Sequence, residues 1–302
     1  KRGVRFVRLR GSFFLFLASL FWGTTFVAQS VGMSEIGPYT YGAARYSIAV
    51  PVVWLVWLAL RERRASERAK GAYRPGWKSG LGAGVIMLVA TSLQQVGIQY
   101  TTVGKASFIT GLYLVLVPLA AFFFGSRIRP AHWLGAFLAL AGLYFLCMKD
   151  GFSLAEGDFL IFLSTFFWTA HILYIDRFAA FVDAIELSVA QLFVCACGSA
   201  LLMLLFEEPT LAGVGAAWAS ILYAGILSSG VAFTLQVLGQ QYAEPALAAV
   251  IMSLEAVIGV LAGMIVLGEV MGTAEILGCA LMLAGMLFAQ CAGLGRENGR
   301  TN

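Results

Sequence analysis

Apolar residues run through this chain in long stretches, each closed by a short polar, glycine or proline break. Ten stretches are legible: Ser12–Gly32, Tyr39–Leu60, Ser79–Gln99, Val103–Gly125, Ala131–Met148, Asp158–Ala180, Ala184–Phe206, Ala216–Gly239, Pro245–Leu267 and Ala274–Ala292. As helices of about 18–25 residues they would each cross a hydrocarbon core of roughly 30 Å. The alternating strands of about ten residues that a membrane β-barrel needs do not occur. The pattern predicts an all-α membrane protein with ten transmembrane helices.

The stretches also repeat. QVGIQYTTVGKASFITGLYLVLVP, from Gln95 to Pro118, is a helix-break-helix phrase that returns as QVLGQQYAEPALAAVIMSLEAVIGV, from Gln236 to Val260. LASLFWGTTFVAQS in the first stretch is answered by FLSTFFWTAHILYIDR in the sixth, with Trp22 and Trp168 in register. LGAFLALAG in the fifth is answered by LGCALMLAG in the tenth, Gly135 and Gly142 by Gly278 and Gly285. The chain therefore reads as two five-helix repeats, 12–148 and 158–292. Five is odd, so the second repeat enters the membrane from the opposite side. Inverted repeats of this kind give two packings of similar energy around a central cavity, the physical basis of alternating access. The inversion puts the turn at 100–104 outside and that at 241–244 inside.

Composition and charge sharpen this picture. Of 302 residues, 60% are apolar and only 12% charged, about half the charged share of a soluble domain. Of the 20 Lys and Arg, 17 fall on one side of a ten-crossing topology, in residues 1–10 and 61–78, at Arg127, Arg129 and Arg177, and at Arg296 and Arg300. The positive-inside rule then places both termini in the cytoplasm; the membrane expected is the cell inner membrane. Arg45, Lys105 and Lys149 are the exceptions. Arg45 and Lys105 lie toward the outside, as a gate or anion attractor, or as side chains that snorkel to head groups. The run RERRASERAK reads as a solvated cytoplasmic linker with some interfacial helix. No folded basic surface is available for nucleic acid, and no GxxxxGK[ST] loop supports an ATP-driven pump. The five cysteines, Cys147, Cys195, Cys197, Cys279 and Cys291, all lie in apolar stretches and read as packing residues, with neither a disulfide nor a metal pair. The first stretch is full length and is expected to be retained rather than cleaved as a signal peptide.

The ordered set of motifs resembles the drug/metabolite transporter superfamily, specifically its EamA-type members. LFWGTTF opens the first repeat, the fourth and fifth stretches match that family's fourth and fifth helices, and SLEAVIGVLAGMIVLGEVMGTAEILGCALMLAG matches its ninth and tenth. The Leu-Gly-Glu at 267–269 has no counterpart in the first repeat, which reads Phe-Gly-Ser at 124–126. The resemblance implies a ten-helix fold with a central cavity, no cofactor, and export of small metabolites. Amino-acid exporters of the YddG type lie within the family.

Polar groups deep in a bilayer are costly and tend to face a cavity or one another. Glu255 lies about ten residues into the ninth stretch, with no Lys or Arg at helical spacing. It is either a cavity carboxylate for a substrate amine or a proton, or a carboxyl hydrogen-bonded to a neighbouring helix. Its counterpart in the first repeat is Tyr113. His171 lies one turn after Trp168, either in the cavity or in a packing role, and no second ligand at i±4 makes it a metal site. Trp22 and Trp168 lie near helix midpoints and suit the walls of a cavity for a flat or amphipathic solute. Trp54, Trp57, Trp133 and Trp218 lie nearer helix ends. Thr25 shares a stripe with Trp22 and Gln29. Gln95, Gln99 and Gln236 offer neutral hydrogen bonds. The substrate-binding set expected is Trp22, Thr25, Gln95, Tyr113, Trp168, His171, Gln236 and Glu255.

The function expected is a secondary transporter that exports amino acids or related metabolites, with the lipid bilayer, a small solute and protons as partners. A facilitative channel or uniporter for drug-like or nucleotide-sugar-like solutes is the alternative. A membrane enzyme would need a histidine pair with carboxylates near the interface, which two distant histidines do not supply.

Overall fold

The computed structural model describes residues 2–69, 71, 73–101, 106, 109–125, 130–147, 156–267 and 272–295. Lys105, Ser107, Arg127, Arg129, Lys149, Gly268 and Glu269, together with most of the turn at 100–104, lie outside the described residues. The helices in chain order are α1 (Arg2–Gly32), α2 (Pro38–Ala69), α3 (Trp77–Ile98), α4 (Tyr113–Phe123), α5 (Pro130–Cys147), α6 (Glu156–Ala179) and α7 (Ala184–Phe206). They continue with α8 (Leu211–Ala216) and α9 (Trp218–Tyr223), a π-helical stretch (Ala224–Ala232), α10 (Phe233–Gln240), α11 (Pro245–Met252), α12 (Glu255–Leu267) and α13 (Thr273–Gly295). Among the described residues the only β pairing is an isolated bridge between Arg74 and Val182.

Seven helical runs among the described residues are long and apolar enough to cross a membrane: Leu9–Gly32, Pro38–Ala69, Trp77–Ile98, Glu156–Ala179, Ala184–Phe206, Trp218–Gln240 and Pro245–Val266. Ile109–Phe123 and Ile276–Phe288 are shorter apolar helices. Large apolar side chains cover the outside, among them Phe123, Phe137, Leu204 and Ile265. In water such a surface would aggregate; in a bilayer it is the lipid face.

Three expected helices differ in detail. The charge run after the second stretch is helical, because α2 continues unbroken to Ala69. The fourth and ninth stretches are not single helices. Leu112 forms a turn directly before Tyr113, and Ser253 and Leu254 form one directly before Glu255. At each place the backbone exchanges i−4 bonds for i−3 bonds: Leu112 N–H donates to Ile109 O at 3.2 Å, and Leu254 N–H donates to Ile251 O at 3.2 Å. Ser253 Oγ donates to Val250 O at 2.9 Å, a side-chain bond that competes with the helical ladder.

With no hydrophobic drive between helices in lipid, close packing and hydrogen bonds hold the bundle together. α5 and α13 cross antiparallel on their glycines. A Cβ on Gly142 would meet Gly278 O at 2.6 Å, and one on Gly285 would meet Gly135 O at 2.6 Å. α3 lies as tightly on α7, where a Cβ on Gly84 would meet Gln191 Cα at 2.9 Å. The π-helical stretch lies on α2, where a Cβ on Gly225 would meet Arg45 O at 2.9 Å.

α2 and α7 are tied at both ends. At the basic end, Asp183 caps α7 by accepting from Ile185 N and Glu186 N, and Arg64 donates to both its oxygens at 2.8 and 3.0 Å. Arg68 donates to Glu186 Oε1 at 2.6 Å, and Glu186 Oε2 accepts from Gly76 N at 2.9 Å. At the opposite, acidic end Glu207 accepts from Tyr39 N, Thr40 N and Thr40 Oγ1 at 2.6–2.8 Å, neutralising the first turn of α2. Asp183→Ala removes a helix cap and strands a partly buried arginine. It is expected to cost on the order of 3–5 kcal/mol as a lower midpoint of thermal unfolding in detergent. Arg63→Gln, which breaks an exposed pair with Glu67, is expected to leave the midpoint within about one degree.

Candidate functional site

The breaks in the fourth and ninth stretches meet at the middle of the bundle. Tyr113 and Glu255, the first residues after them, are joined: Tyr113 Oη donates to Glu255 Oε1 at 3.1 Å. The two positions are 142 apart, so repeat-equivalent residues touch one another. Both face a central cavity.

One wall of that cavity is aromatic. Trp22 from α1 and Trp168 from α6 lie on either side of Phe233 from α10, with ring centroids 5.0 and 6.1 Å from it. Trp22 Nε1 donates to Ser228 O at 3.1 Å, a carbonyl of the π-helical stretch. π-Helical turns widen a helix and concentrate at functional sites; this one carries Ser228 to the cavity and leaves Ser229 Oγ buried without a partner. Another wall is polar. Gln29, Gln236 and Arg45 line it, and Gln94 donates to Thr110 Oγ1 at 2.9 Å. The free space among these groups is about 60 Å³, room for a few waters and too little for an organic solute. In this structure the cavity is narrow.

Five residues of the expected set line this cavity: Trp22, Tyr113, Trp168, Gln236 and Glu255. Three lie elsewhere. Thr25 is fully buried and donates to Phe21 O of its own helix at 2.6 Å; the face of α1 toward the cavity is Trp22, Phe26 and Gln29. Gln95 points to Met33 Sδ at 3.3 Å, and its neighbour Gln94 takes the cavity position. His171 is fully buried behind the aromatic wall, bonded through Nε2 to Gln191 Oε1 at 3.0 Å and edge-on to Trp168 and Phe233. It supports those rings rather than lining the cavity. Gln99 is exposed at the end of α3.

Arg45 is the main residue that the sequence reading misplaced. It is only 5% exposed, so it neither snorkels nor stands at an outer rim. α2 begins at Pro38, and seven residues of helix carry Arg45 about 10 Å into the bundle. Its guanidinium lies 4.5 Å over the Tyr46 ring and donates to Tyr46 Oη at 2.6 Å. Among the described residues no carboxylate pairs with it, and Nε has no partner. Gln236 Oε1 and Trp168 Nε1 are likewise buried and unpartnered.

Apolar helices long enough to cross a membrane, packed around a cavity with polar and aromatic walls, make this a membrane protein with an internal chamber. The chain belongs to the EamA-like transporter family, whose model matches it twice, at residues 9–148 and 155–290. This is the EamA-type branch of the drug/metabolite transporter superfamily. An uncharacterized transporter of Archaeoglobus fulgidus is 28% identical to it, with 93% of this chain and 85% of that one covered. The uncharacterized transporter YwfM of Bacillus subtilis is 27% identical, over 93% of this chain and 94% of the other. A solved crystal structure with 24% identity superposes with a TM-score of 0.77 over 96% of this chain and 98% of its own, which speaks to the fold alone.

Tyr113→Phe removes the one donor among the described residues that reaches Glu255, and leaves the helix breaks in place. It is expected to lower stability by about 1–3 kcal/mol, read as the thermal midpoint of the purified protein, with far-ultraviolet helicity unchanged.

Proposed function

We propose that the protein is a secondary transporter that exports amino acids or closely related dipolar metabolites across the inner membrane by alternating access. The observation that carries this reading is an arginine and a carboxyl group on the wall of one cavity, Arg45 and Glu255. Among the described residues Arg45 has no carboxylate partner, Glu255 has only the Tyr113 hydroxyl, and no salt bridge joins the two. A dipolar solute meets both needs. Its carboxylate would take the free guanidinium edge of Arg45, its ammonium would take Glu255, and its side chain would lie against Trp22, Trp168 and Phe233. Gln236 Oε1 and Trp168 Nε1 supply one further acceptor and one further donor.

The transport cycle follows from the repeats. We read ten crossings in two inverted halves, 12–148 and 158–292, with both termini in the cytoplasm. The mutual glycine contacts of α5 and α13, and the meeting of Tyr113 with its counterpart Glu255, are what a two-fold axis in the membrane plane would produce. Rocking of the halves about that axis would expand the narrow cavity to one side and then the other. Export is the direction that the family resemblance implies. When the solute leaves, Glu255 would accept a proton, which couples the cycle to the pH gradient.

Proteoliposomes loaded with unlabelled amino acids test this. Radiolabelled neutral amino acids are expected to show saturable uptake and counterflow, whereas a channel gives neither. Arg45→Gln is expected to lower kcat/KM on the order of 10- to 100-fold by removing one charge-assisted bond. Glu255→Gln is expected to keep counterflow and lose acceleration by a pH gradient. Unchanged pH-driven flux in Glu255→Gln would remove the proton role.

A further inference from the structure

A second cavity, of about 520 Å³, lies at the basic end and shares no lining residue with the central one. Its volume is within the range of about 300–1,000 Å³ typical of small-molecule sites. Arg10, Arg63 and Arg64 reach it, with Glu67 as the only acidic residue on its wall. These cations are not equally committed. Arg64 is held by Asp183, and its side chain is only 16% exposed. Arg63 pairs with Glu67 across a solvated surface, its side chain 78% exposed, so that pair holds it weakly. Arg10 has no acidic partner among the described residues and lies 5.3 Å over the Phe14 ring. The hydroxyl of Tyr73 donates to Glu67 Oε2 at 3.2 Å, turning part of that carboxylate away from the arginines.

The wall of the cavity is mixed, with Tyr73, Gln241 and Tyr242 beside the arginines and an apolar part. Leu60, Val182 and Leu238 form part of its wall. On α1, Leu9, Phe13, Phe16 and Leu20 share one exposed apolar face, and Arg10 lies on the strip beside it. Cations around a cavity that adjoins an exposed apolar helix face suit a molecule with an anionic head and hydrocarbon tails. A freely soluble anion would gain nothing from the apolar part.

We propose that this cavity binds the phosphate headgroup of an anionic phospholipid, with Arg10 and Arg63 on the phosphate and the acyl chains along the exposed face of α1. The inference rests on the chain being a membrane protein and is independent of which solute it moves. Bound there, the lipid would bridge the start of α1, the end of α2 and the turn after α10, which all border the cavity.

Native mass spectrometry of the purified full chain tests it, with dioleoyl phosphatidylglycerol titrated against dioleoyl phosphatidylcholine. Each arginine near a headgroup contributes about a fivefold preference. The wild type is expected to retain phosphatidylglycerol on the order of tenfold more strongly. The double variant Arg10→Gln/Arg63→Gln is expected to bind the two lipids alike to within about twofold. Arg10→Lys/Arg63→Lys is expected to keep most of the preference. A large excess of inorganic phosphate is expected to leave the lipid in place. Equal retention of both lipids by the wild type, a preference that survives in the glutamine variant, or displacement by phosphate alone would each overturn the proposal. The wild-type comparison decides by itself should the glutamine variant fail to fold.

Discussion

A polar group in hydrocarbon must find a partner inside the protein, and the hydrogen bond between Tyr113 and Glu255 is where this chain meets that demand at its centre. The bond joins α4 to α12 at the point where both stretches have just been interrupted. An unbroken helix in either place would present a different residue to the middle of the bundle. The aromatic wall, the free arginine and the widened turn of the eighth stretch are all arranged around the space beside this bond. The interior is therefore neither an apolar core nor an open pore. It is a small chamber with aromatic and polar walls, and several buried polar atoms around it have no partner among the described residues.

The two ends of the α2–α7 pair use equivalent positions with different chemistry. Residues 40 and 183, and residues 64 and 207, are each 143 apart in the chain. At the basic end these positions hold an ion pair, Arg64 with Asp183; at the acidic end, Glu207 closes directly on the backbone of Tyr39 and Thr40. Both are charge-assisted, but only the first buries two full charges against each other. A helix pair tied in this way at both ends can serve as a fixed element while the others tilt. The asymmetry of the two ties gives the ends unequal strength even though the architecture repeats.

Much of this was legible in the sequence, because membrane helices announce themselves by length and composition. Seven of the expected crossings are matched by runs long and apolar enough to span, and the glycines at 135/142 and 278/285, read in the sequence as a repeated frame, lie where α5 and α13 cross closely. What the pattern concealed was the rotation and depth of each helix. Gln94 and Gln95 are adjacent and equally polar, and only the packing of α3 on α6 and α7 decides which of them sees the cavity. Arg45 looked peripheral because it is near the start of a stretch, yet the helix begins early enough to bury it. The breaks at Leu112 and Ser253–Leu254 leave no gap in hydrophobicity, since a turn buried among helices stays apolar. His171 was read from its one-turn spacing to Trp168, which proved right for contact with that ring and wrong for the side on which the cavity lies.

The central claim is that a solute occupies the chamber between Arg45 and Glu255 during transport. Ser228 borders that chamber, so Ser228→Cys, made with the five native cysteines replaced, reports on it through the rate of alkylation by N-ethylmaleimide. The account predicts that a transported amino acid slows this labelling, with a half-effect at the concentration that half-saturates transport. A labelling rate that stays constant at solute concentrations that saturate transport would contradict it.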